Sequence, residues 1–202
     1  MNFRPLKVIA TVVLLSVIAG GCYLPVRFDA EIELDPHGYY SMIFDGYMAD
    51  VVLYDGIKTK KMSPTDQKSR IEGLEKDINR DSNVKEYKYI KEGFFKVHWE
   101  RKGDLLKSKT VTFLRRNARI ISLKYIRTTG QIVMEGIAIG KTKAEQLIEN
   151  GLNIQGELRL ITDAQVTVHN ATDVKKRDGG KTMYTWKINS LLNQVPRLAI
   201  KL

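Results

Sequence analysis

The sequence predicts an α+β domain, in which a predominantly antiparallel β-sheet built from hairpins carries about two helices on one face. Short segments that alternate apolar and polar residues recur along the chain, and turn residues separate them. Such alternation is typical of half-buried strands. Two further segments, far apart in the chain, have apolar residues at helical spacing behind a capping signal. Consecutive hairpins favour an antiparallel sheet with helices on one of its faces.

The first strand signal covers residues 26–34, where apolar and charged residues alternate without interruption. Residues 35–38 then predict a turn, because Pro36 presets φ and Gly38 permits a positive φ. Residues 39–44 continue as the returning strand of a hairpin. The next stretch, 49–61, is ambiguous, since an Asp-Gly pair interrupts its apolar run.

Two helices are predicted, one in residues 63–79 and one in residues 142–151. In the first, Ser63 is placed to cap the helix, Pro64 suits the first helical position and Asp66 suits the positive N-terminal end. In the second, Thr142 is the predicted cap of a Thr-x-x-Glu capping box, and Gly151 is the stop signal. Apolar residues at helical spacing lie on one face of each segment: Ile71, Leu74 and Ile78 in the first, Ala144, Leu147 and Ile148 in the second.

The remaining strand signals share either period-two alternation or an enrichment in Ile, Val and Tyr, which suit pleated surfaces. They fall in residues 95–99, 111–113, 118–126, 131–139, 158–160, 166–168, 184–188 and 198–202. An Asp-Gly-Gly turn at 178–180 leads into the strand that contains Tyr184. Trp99 and Trp186 lie on the apolar side of such strands, which predicts that they belong to the core or to a cavity wall.

The first 21 residues are typical of a secretory signal. Arg4 and Lys7 precede a short apolar segment, and small residues follow before a cleavage site. The apolar segment is shorter than the ~20 residues that span a bilayer. Cys22 comes next and is the one cysteine of the chain, which excludes an intrachain disulfide framework and a multi-cysteine metal site.

The run Ala19-Gly20-Gly21-Cys22 resembles the lipobox of bacterial lipoproteins. The resemblance implies that Cys22 is diacylated, as by palmitate, and becomes the mature N-terminus; the alternative is an uncleaved anchor with an inert cysteine. It implies three parts: a signal peptide in 1–21, a lipidated tether in 22–25 and a single α+β envelope domain in 26–202. Two acyl chains give stable membrane anchoring. Tyr23 follows the cysteine, and resemblance to enterobacterial lipoproteins favours the periplasmic side of the outer membrane over the inner membrane.

The domain behind Cys22 also resembles LppM-type bacterial lipoprotein domains. The resemblance rests on the strand that begins just after Cys22, on the turn at 35–38 and on the late hairpin around Gly179-Gly180 and Thr185-Trp186. It covers most of the chain behind the signal. That family implies no catalytic residues for this chain.

The formal net charge of +10 is concentrated in residues 85–127, which hold 13 Lys and Arg against 4 Asp and Glu. We expect these cations to surround two successive hairpin turns as candidate contacts with an anionic surface, because Arg and Lys bind phosphate groups. The favoured interpretation of the same cations is a solvated face whose lysines protect edge strands, since charge runs usually serve solubility. The candidate contacts are Arg101, Lys102, Lys107 and Lys109 at one turn, and Arg115, Arg116 and Arg119 at the next.

Catalytic and cofactor motifs are weak in this sequence. The glycines Gly136 and Gly140 are separated by three residues instead of the four of a phosphate-binding Walker loop. His37, His98 and His169 have no metal-ligand spacing, and there is no G-x-S-x-G nucleophile motif. We therefore expect no cofactor and no metal.

The sequence thus predicts a lipid-anchored, non-catalytic binding or scaffolding protein of the bacterial cell envelope. Expected partners are the membrane, anionic lipid, lipopolysaccharide or envelope proteins, whereas nucleic acid is excluded by the compartment. The alternative is an exported hydrolase with a carboxylate and histidine site that sequence spacing conceals. A deep apolar groove would favour lipid binding, converging carboxylates would favour the enzyme, and a flat sheet would favour scaffolding.

Overall fold

The computed structural model describes residues 23–114, 121–136 and 138–202. It has an α+β fold, with strands β1 (Tyr23–Leu34), β2 (Tyr39–Asp50), β3 (Val84–Lys91), β4 (Phe94–Asp104), β5 (Thr110–Thr112), β6 (Ser122–Ile126), β7 (Gln131–Glu135), β8 (Gln155–Thr162), β9 (Gln165–His169), β10 (Asp173–Lys176), β11 (Thr182–Ile188) and β12 (Leu198–Lys201). The α-helices are α1 (Val51–Lys58), α2 (Pro64–Ile78), α3 (Leu105–Ser108) and α4 (Lys141–Glu149). Among these residues, no helix is long and apolar enough to cross a membrane.

The strands form two sheets, whereas the sequence predicted one. The larger sheet has the order β10-β11-β8-β1-β2-β4-β3, and the smaller has the order β5-β6-β7-β12-β9. The predicted antiparallel pairing is confirmed for all described pairs but one, since β1 and β8 run parallel. A parallel pair cannot be joined by a hairpin. The long connection from β1 to β8 includes the helices α1 to α4 and the strands β5 to β7 of the second sheet.

The predicted first hairpin is confirmed, and both of its strands are longer than expected. In the turn, Asp35 Oδ1 accepts hydrogen bonds from the N–H groups of His37 and Tyr39, each at 2.9 Å. Strand β1 begins at Tyr23 instead of residue 26, and Tyr23 and Leu24 are buried. Residues 23–25 are therefore part of a strand and not a loose tether. Strand β2 continues beyond residue 44 to Asp50.

The described residues contain four α-helices, where about two were predicted. The predicted cap of α2 is confirmed, because Ser63 accepts a hydrogen bond from Asp66 N–H. The stop of α4 is also confirmed, since Gly151 has a φ of +86°. Its predicted cap was wrong: the N-cap of α4 is Gly140, without a side-chain hydrogen bond, and Thr142 lies inside the helix. Helix α1 occupies the ambiguous stretch after β2.

The predicted hairpin turn between residues 101 and 109 was wrong. Strand β4 belongs to the larger sheet, strand β5 belongs to the smaller one, and α3 connects them. Alternation reveals which face of a strand is buried, but it does not reveal which strand lies beside it. Strands β3 and β10 were not predicted, because both lie at sheet edges and carry mostly polar or half-exposed residues.

The two sheets share one hydrophobic core. A single cluster of buried residues includes Ile32 and Met42 from the larger sheet and Leu123 and Ile132 from the smaller one. Phe113, which follows β5, lies 5.7 Å from Trp99 and 6.2 Å from Phe44 between ring centroids. Trp99 and Trp186 are both buried, as predicted. The described residues from Tyr23 to Ile200 thus form an extensive core between the two sheets.

A buried ion pair joins the end of β2 to the first two helices. Asp50 is fully buried, and its Oδ1 accepts the N–H of Leu53 at 2.7 Å, which caps α1. The guanidinium of Arg70 in α2 donates to both carboxylate oxygens, at 2.7 Å and 2.8 Å. Removing one partner of such a pair would leave an uncompensated buried charge, so the pair fixes α2 against the sheet.

Glycines flank Phe28 on both neighbouring strands. Phe28 lies opposite Gly46 of β2 and Gly156 of β8. A Cβ atom at Gly46 would lie 2.3 Å from the carbonyl oxygen of Arg27 and 2.7 Å from Phe28 Cα. The strands can therefore approach here only because these positions lack a side chain.

Replacing Gly46 with alanine is expected to lower the free energy of unfolding by about 2 to 3 kcal/mol, because backbone atoms occupy the space that the methyl group needs. Urea denaturation of the chain from Tyr23 onward would measure the change. The matched control is Gly73→Ala in α2, where an added Cβ meets nothing within 4 Å. This change is expected to raise stability by about 0.5 to 1 kcal/mol. Equal effects of the two changes would contradict the close approach at Gly46.

Candidate functional site: an apolar cavity at the end of the larger sheet

An apolar cavity of about 390 Å³ lies where the start of β1, the segment before β8, the segment before α4 and the β11–β12 loop meet. Its volume is within the range of small-molecule sites in proteins, which are mostly apolar and concave. Among its described lining residues the charged one is Lys141. The others are Leu24, Phe28, Ile121, Ala138, Ile139, Ile154, Ile188, Ser190, Leu191, Leu192, Asn193, Gln194, Val195 and Pro196.

A β-bulge in β1 shapes the inner wall. The register with β2 shifts between Pro25 and Arg27, so Pro25 and Phe28 share the core face of the sheet. Leu24 instead packs in a second cluster with Ala49 and Leu152, beside α4. Because Leu24 and Phe28 both line the cavity, it extends around the end of the sheet.

The β11–β12 loop contributes seven consecutive lining residues, 190–196. Asn193 holds the loop from within, since its Oδ1 accepts the N–H groups of Asn189 at 2.8 Å and Ser190 at 3.0 Å. Asn153, before β8, holds it from outside, since its Oδ1 accepts the N–H of Leu191 at 3.1 Å. These bonds satisfy backbone groups that would otherwise compete for water or ligand.

Asn170 fixes the far end of the same loop. Its Nδ2 donates to the carbonyl oxygen of Val195 at 2.9 Å. Its Oδ1 accepts from Trp186 Nε1 at 2.8 Å and from the N–H of Arg197 at 2.7 Å. The indole of Trp186 is buried, so the loop is joined to the core. Three asparagines thus hold the cavity wall in place before any ligand binds.

The mouth of the cavity combines apolar and cationic groups. Leu192 is 50% exposed, which is unusual for a leucine that lines a cavity. Lys141 lies in the first turn of α4, and its pairing with Glu145 is loose, at 3.8 Å. The first turn of α4 has no acidic residue and no side-chain cap. A helix N-terminus carries partial positive charge, so the mouth of this cavity has a positive potential.

The start of β1 is fixed against the core next to this cavity. The hydroxyl groups of Tyr23 and Tyr87 lie 3.3 Å apart. Burial raises the pKa of Tyr23 to about 12 and also raises that of Tyr87. Both hydroxyl groups are therefore neutral at physiological pH, and the residue that follows Cys22 is held in the fold.

Among the described residues, the cations that the sequence predicted as contacts with an anionic surface do not form one patch. Arg101 lines a polar cleft with Arg80 and Asp81, whereas Lys102, its neighbour along β4, points to the opposite face of the sheet. Lys107 in α3 lies 3.6 Å from a carboxylate oxygen of Asp104. The predicted contacts Arg115, Arg116 and Arg119, and the predicted lipidation site Cys22, lie outside the described residues.

Lys109 is held by local contacts. Its Nζ donates to the carbonyl oxygen of Leu106 and lies 5.1 Å from the centre of the Tyr125 ring. Its ammonium group is thus already engaged by the protein. Binding of these cations to an anionic surface remains a prediction.

Carboxylates do converge on the outer face of the larger sheet, where they cluster around Arg159 and around His98. Arg159 of β8 donates to Glu31 at 3.0 Å, to Glu157 at 2.9 Å and to Asp29. The three carboxylates hold the pKa of Arg159 above its usual value, Asp29 most strongly. In the described part of the chain, no group of three His, Cys, Asp or Glu residues could hold a metal ion.

His98 lies between two carboxylates on the same face. Its Nδ1 is 2.9 Å from Asp45 and its Nε2 is 2.9 Å from Glu100. The hydrogen bond with Glu100, together with that of Asp45, raises the pKa of His98 above 6.5. His37 is exposed in the first turn, and His169 is exposed with its ring 4.9 Å from that of Tyr184.

The stability of the domain is expected to fall as the pH rises through the raised pKa of His98. The protonated imidazole gains two partners in the folded state, so its stabilising effect is complete below pH 6.5, the unfolded value, and is lost above the folded value. Urea midpoints measured across this range for the wild type and for His98→Gln would show the effect. A pH dependence that is the same in both proteins would contradict it; His37→Gln, in the exposed turn, is the matched control.

The sequence analysis did not identify the cavity. The β11–β12 loop has no strand or helix period, and the signal in it is three apolar residues, Leu191, Leu192 and Val195, between polar ones. Its walls come from five separate parts of the chain. A site of this kind is formed by tertiary contacts that no local spacing encodes.

Comparison with known proteins finds a match by structure and none by sequence. No protein-family model matches the chain, and no curated protein matches its sequence. Among solved structures, the chain is similar to the folded domain of the LppM protein of Mycobacterium tuberculosis, determined by NMR. The TM-score is 0.44 and the sequence identity 13%, over 89% of this chain and 91% of that chain.

Proposed function

We propose that this chain is a lipid-anchored, non-catalytic protein of the bacterial cell envelope that binds the acyl chain of an anionic lipid. The observation that carries the proposal is the apolar cavity, whose described lining contains a single charged residue, Lys141. Burial of a hydrocarbon chain is favourable by about 0.8 kcal/mol for each methylene group. Ten buried methylenes would contribute about 8 kcal/mol, from which the entropic cost of association is subtracted.

An acyl chain fits this cavity better than a polar ligand does. Binding sites for polar ligands place hydrogen-bonding side chains at fixed positions among apolar walls. Here the uncharged polar lining residues are Ser190, Asn193 and Gln194, and the side chains of Asn193 and Ser190 accept hydrogen bonds from backbone N–H groups of their own loop. The walls therefore offer mostly aliphatic surface, which suits a hydrocarbon.

The charges near the cavity favour an anionic headgroup. Lys141 lies at the mouth, in the first turn of α4, and is paired only loosely with Glu145, at 3.8 Å. The first turn of α4 has no acidic residue and no side-chain cap, so its N–H groups add partial positive charge there. A phosphate group at the mouth would form a charge-assisted hydrogen bond with the ammonium group of Lys141.

The cavity would lie close to the membrane in the anchored protein. The lipobox resemblance supports lipidation at Cys22, and Leu24, two residues later, lines the cavity. Two residues of extended chain span at most about 7 Å. A cavity so close to the anchor is well placed to take up a lipid from the membrane to which the protein is attached.

Under this proposal the domain is a binding protein and not a hydrolase. A hydrolase needs catalytic groups beside the bound substrate. The carboxylate clusters around Arg159 and His98 lie on the outer face of the sheet, and none of their members lines the apolar cavity.

Placement of the protein at the outer membrane is supported by Tyr23, the residue after Cys22, and by the resemblance to enterobacterial lipoproteins.

The chain from Tyr23 onward is expected to bind palmitoyl lysophosphatidylglycerol with a negative heat-capacity change, the mark of apolar burial. Because this portion lacks Cys22, the bound lipid cannot be its own anchor. Titration calorimetry below the micellar concentration would measure binding. Lysophosphatidylcholine, which has no net charge, is expected to bind more weakly, and the difference is expected to shrink at high salt.

A variant that obstructs the cavity opening provides the decisive comparison. Ala138 is exposed and lines the cavity, so Ala138→Trp adds a large side chain at its edge and is expected to weaken binding strongly. The matched control is Val168→Trp at an exposed position of the edge strand β9, which is expected to leave binding unchanged. Absence of binding by the wild type, or full binding by Ala138→Trp, would contradict the proposal.

Lipidation is tested separately in the full chain. Cys22→Ala is expected to abolish incorporation of labelled palmitate in a bacterial host, because the chain then has no cysteine. Ser16→Ala, within the apolar segment of the signal, is expected to retain the label. Labelling of the Cys22→Ala protein would refute the anchor without affecting the cavity.

A further inference from the structure

Phe28 lies at the junction of three cavities. It lines the apolar cavity, and it also lines the polar cleft that contains Arg27 and Lys187. It further lines a small interior cavity of about 20 Å³ between the two sheets. Phe28 and Ile121 are the two residues common to the apolar cavity and the interior one. These two side chains therefore form the partition between them.

The ring of Phe28 is held in one position. A Cβ atom at Gly156 would lie 2.5 Å from two ring carbons, so the ring occupies the space that a side chain on β8 would fill. On the opposite strand, Gly46 allows the backbone of β1 to approach closely. The ring also stacks on Phe44, with centroids 5.8 Å apart and planes inclined by 14°. A ring fixed by backbone and aromatic contacts makes a rigid floor.

The space behind this floor is suited to hydrocarbon. The interior cavity is lined by Pro25, Ala30, Phe44, Phe113, Ile121 and Leu158 in addition to Phe28. None of these side chains carries a polar atom, so a chain that passed Phe28 would leave no buried polar group unsatisfied. The cavity is nevertheless too small to admit a chain while the ring is in place.

We infer that Phe28 is a specificity-determining residue, which sets the length of acyl chain that the apolar cavity accepts. The inference rests on the proposed lipid-binding function. Each methylene that enters the cavity improves the dissociation constant by about fourfold, from 0.8 kcal/mol per methylene. The improvement ends when the terminal methyl group reaches the ring of Phe28. Longer chains must then leave their additional methylenes in water.

The test is a series of saturated lysophosphatidylglycerols with chains from decanoyl to eicosanoyl, titrated into the chain from Tyr23 onward. For the wild type, the affinity is expected to rise about fourfold per methylene and then to level off at one chain length. In Phe28→Ala the apolar and interior cavities become continuous. The levelling-off point is expected to move by up to about six methylenes, since the change removes the six ring carbons and close-packed space is refilled by a similar number of carbons.

Two further variants keep the test decisive if Phe28→Ala folds poorly. Phe28→Leu retains an apolar side chain and is expected to move the levelling-off point by a smaller amount. Ile121→Ala opens the other side of the same partition and is expected to move it in the same direction. The matched control is Leu192→Ala at the mouth, which is expected to weaken binding at every length without moving this point.

The outcomes separate this inference from the function on which it rests. If affinity does not increase with chain length in the wild type, the cavity does not bind acyl chains, and the proposed function fails. If affinity increases and levels off at the same length in the wild type and in both Phe28 variants, the proposed function stands and the role of Phe28 is refuted.

Discussion

The central constraint of this structure is the position of β1, which is hydrogen-bonded along both edges. It pairs antiparallel with β2 and parallel with β8, and a parallel partner requires a long connection. That connection contains three of the five strands of the second sheet, β5 to β7, and the segment before α4 that forms part of the cavity wall. Phe28 is held by strands on both sides, whereas Tyr23 and Leu24 pair with β2, so the residue after Cys22 is already part of the sheet.

The cavity is preorganised by hydrogen bonds that lie outside its apolar surface. The β11–β12 loop has neither helix nor strand geometry, and Asn153, Asn170 and Asn193 replace the backbone bonds that a regular element would provide. Because these bonds form within the protein, the loop need not be ordered at the cost of binding energy. On the outer face of the larger sheet, carboxylates are bonded to Arg159 and His98. In the polar cleft, by contrast, Arg27 and Lys187 have no carboxylate within ion-pair distance among the described residues.

Predictions that depend on neighbouring residues were confirmed more often than predictions that depend on distant contacts. Ser63 caps α2 as predicted, because a capping bond involves residues three apart. Thr142 failed as a cap because Lys141 and Thr142 are already helical and Gly140 takes the cap position. Helix α1 was missed because its cap, Asp50, is stabilised by Arg70, twenty residues away. The hairpin around Arg101 and Lys109 was wrong because α3 carries the chain from one sheet to the other.

The sequence by itself determined the α+β class, the first hairpin, the cap of α2, the stop of α4 and the burial of both tryptophans, because alternation, capping and turn chemistry act over a few residues. It also supplied the lipobox resemblance at Cys22, which lies outside the described residues. Only the tertiary structure decided that there are two sheets, that β1 and β8 are neighbours and that Phe28 forms the floor of a cavity. Strand pairing and cavity walls join residues more than a hundred positions apart, such as Phe28 and Gly156. No local pattern specifies such a contact, since packing is decided by the whole chain at once.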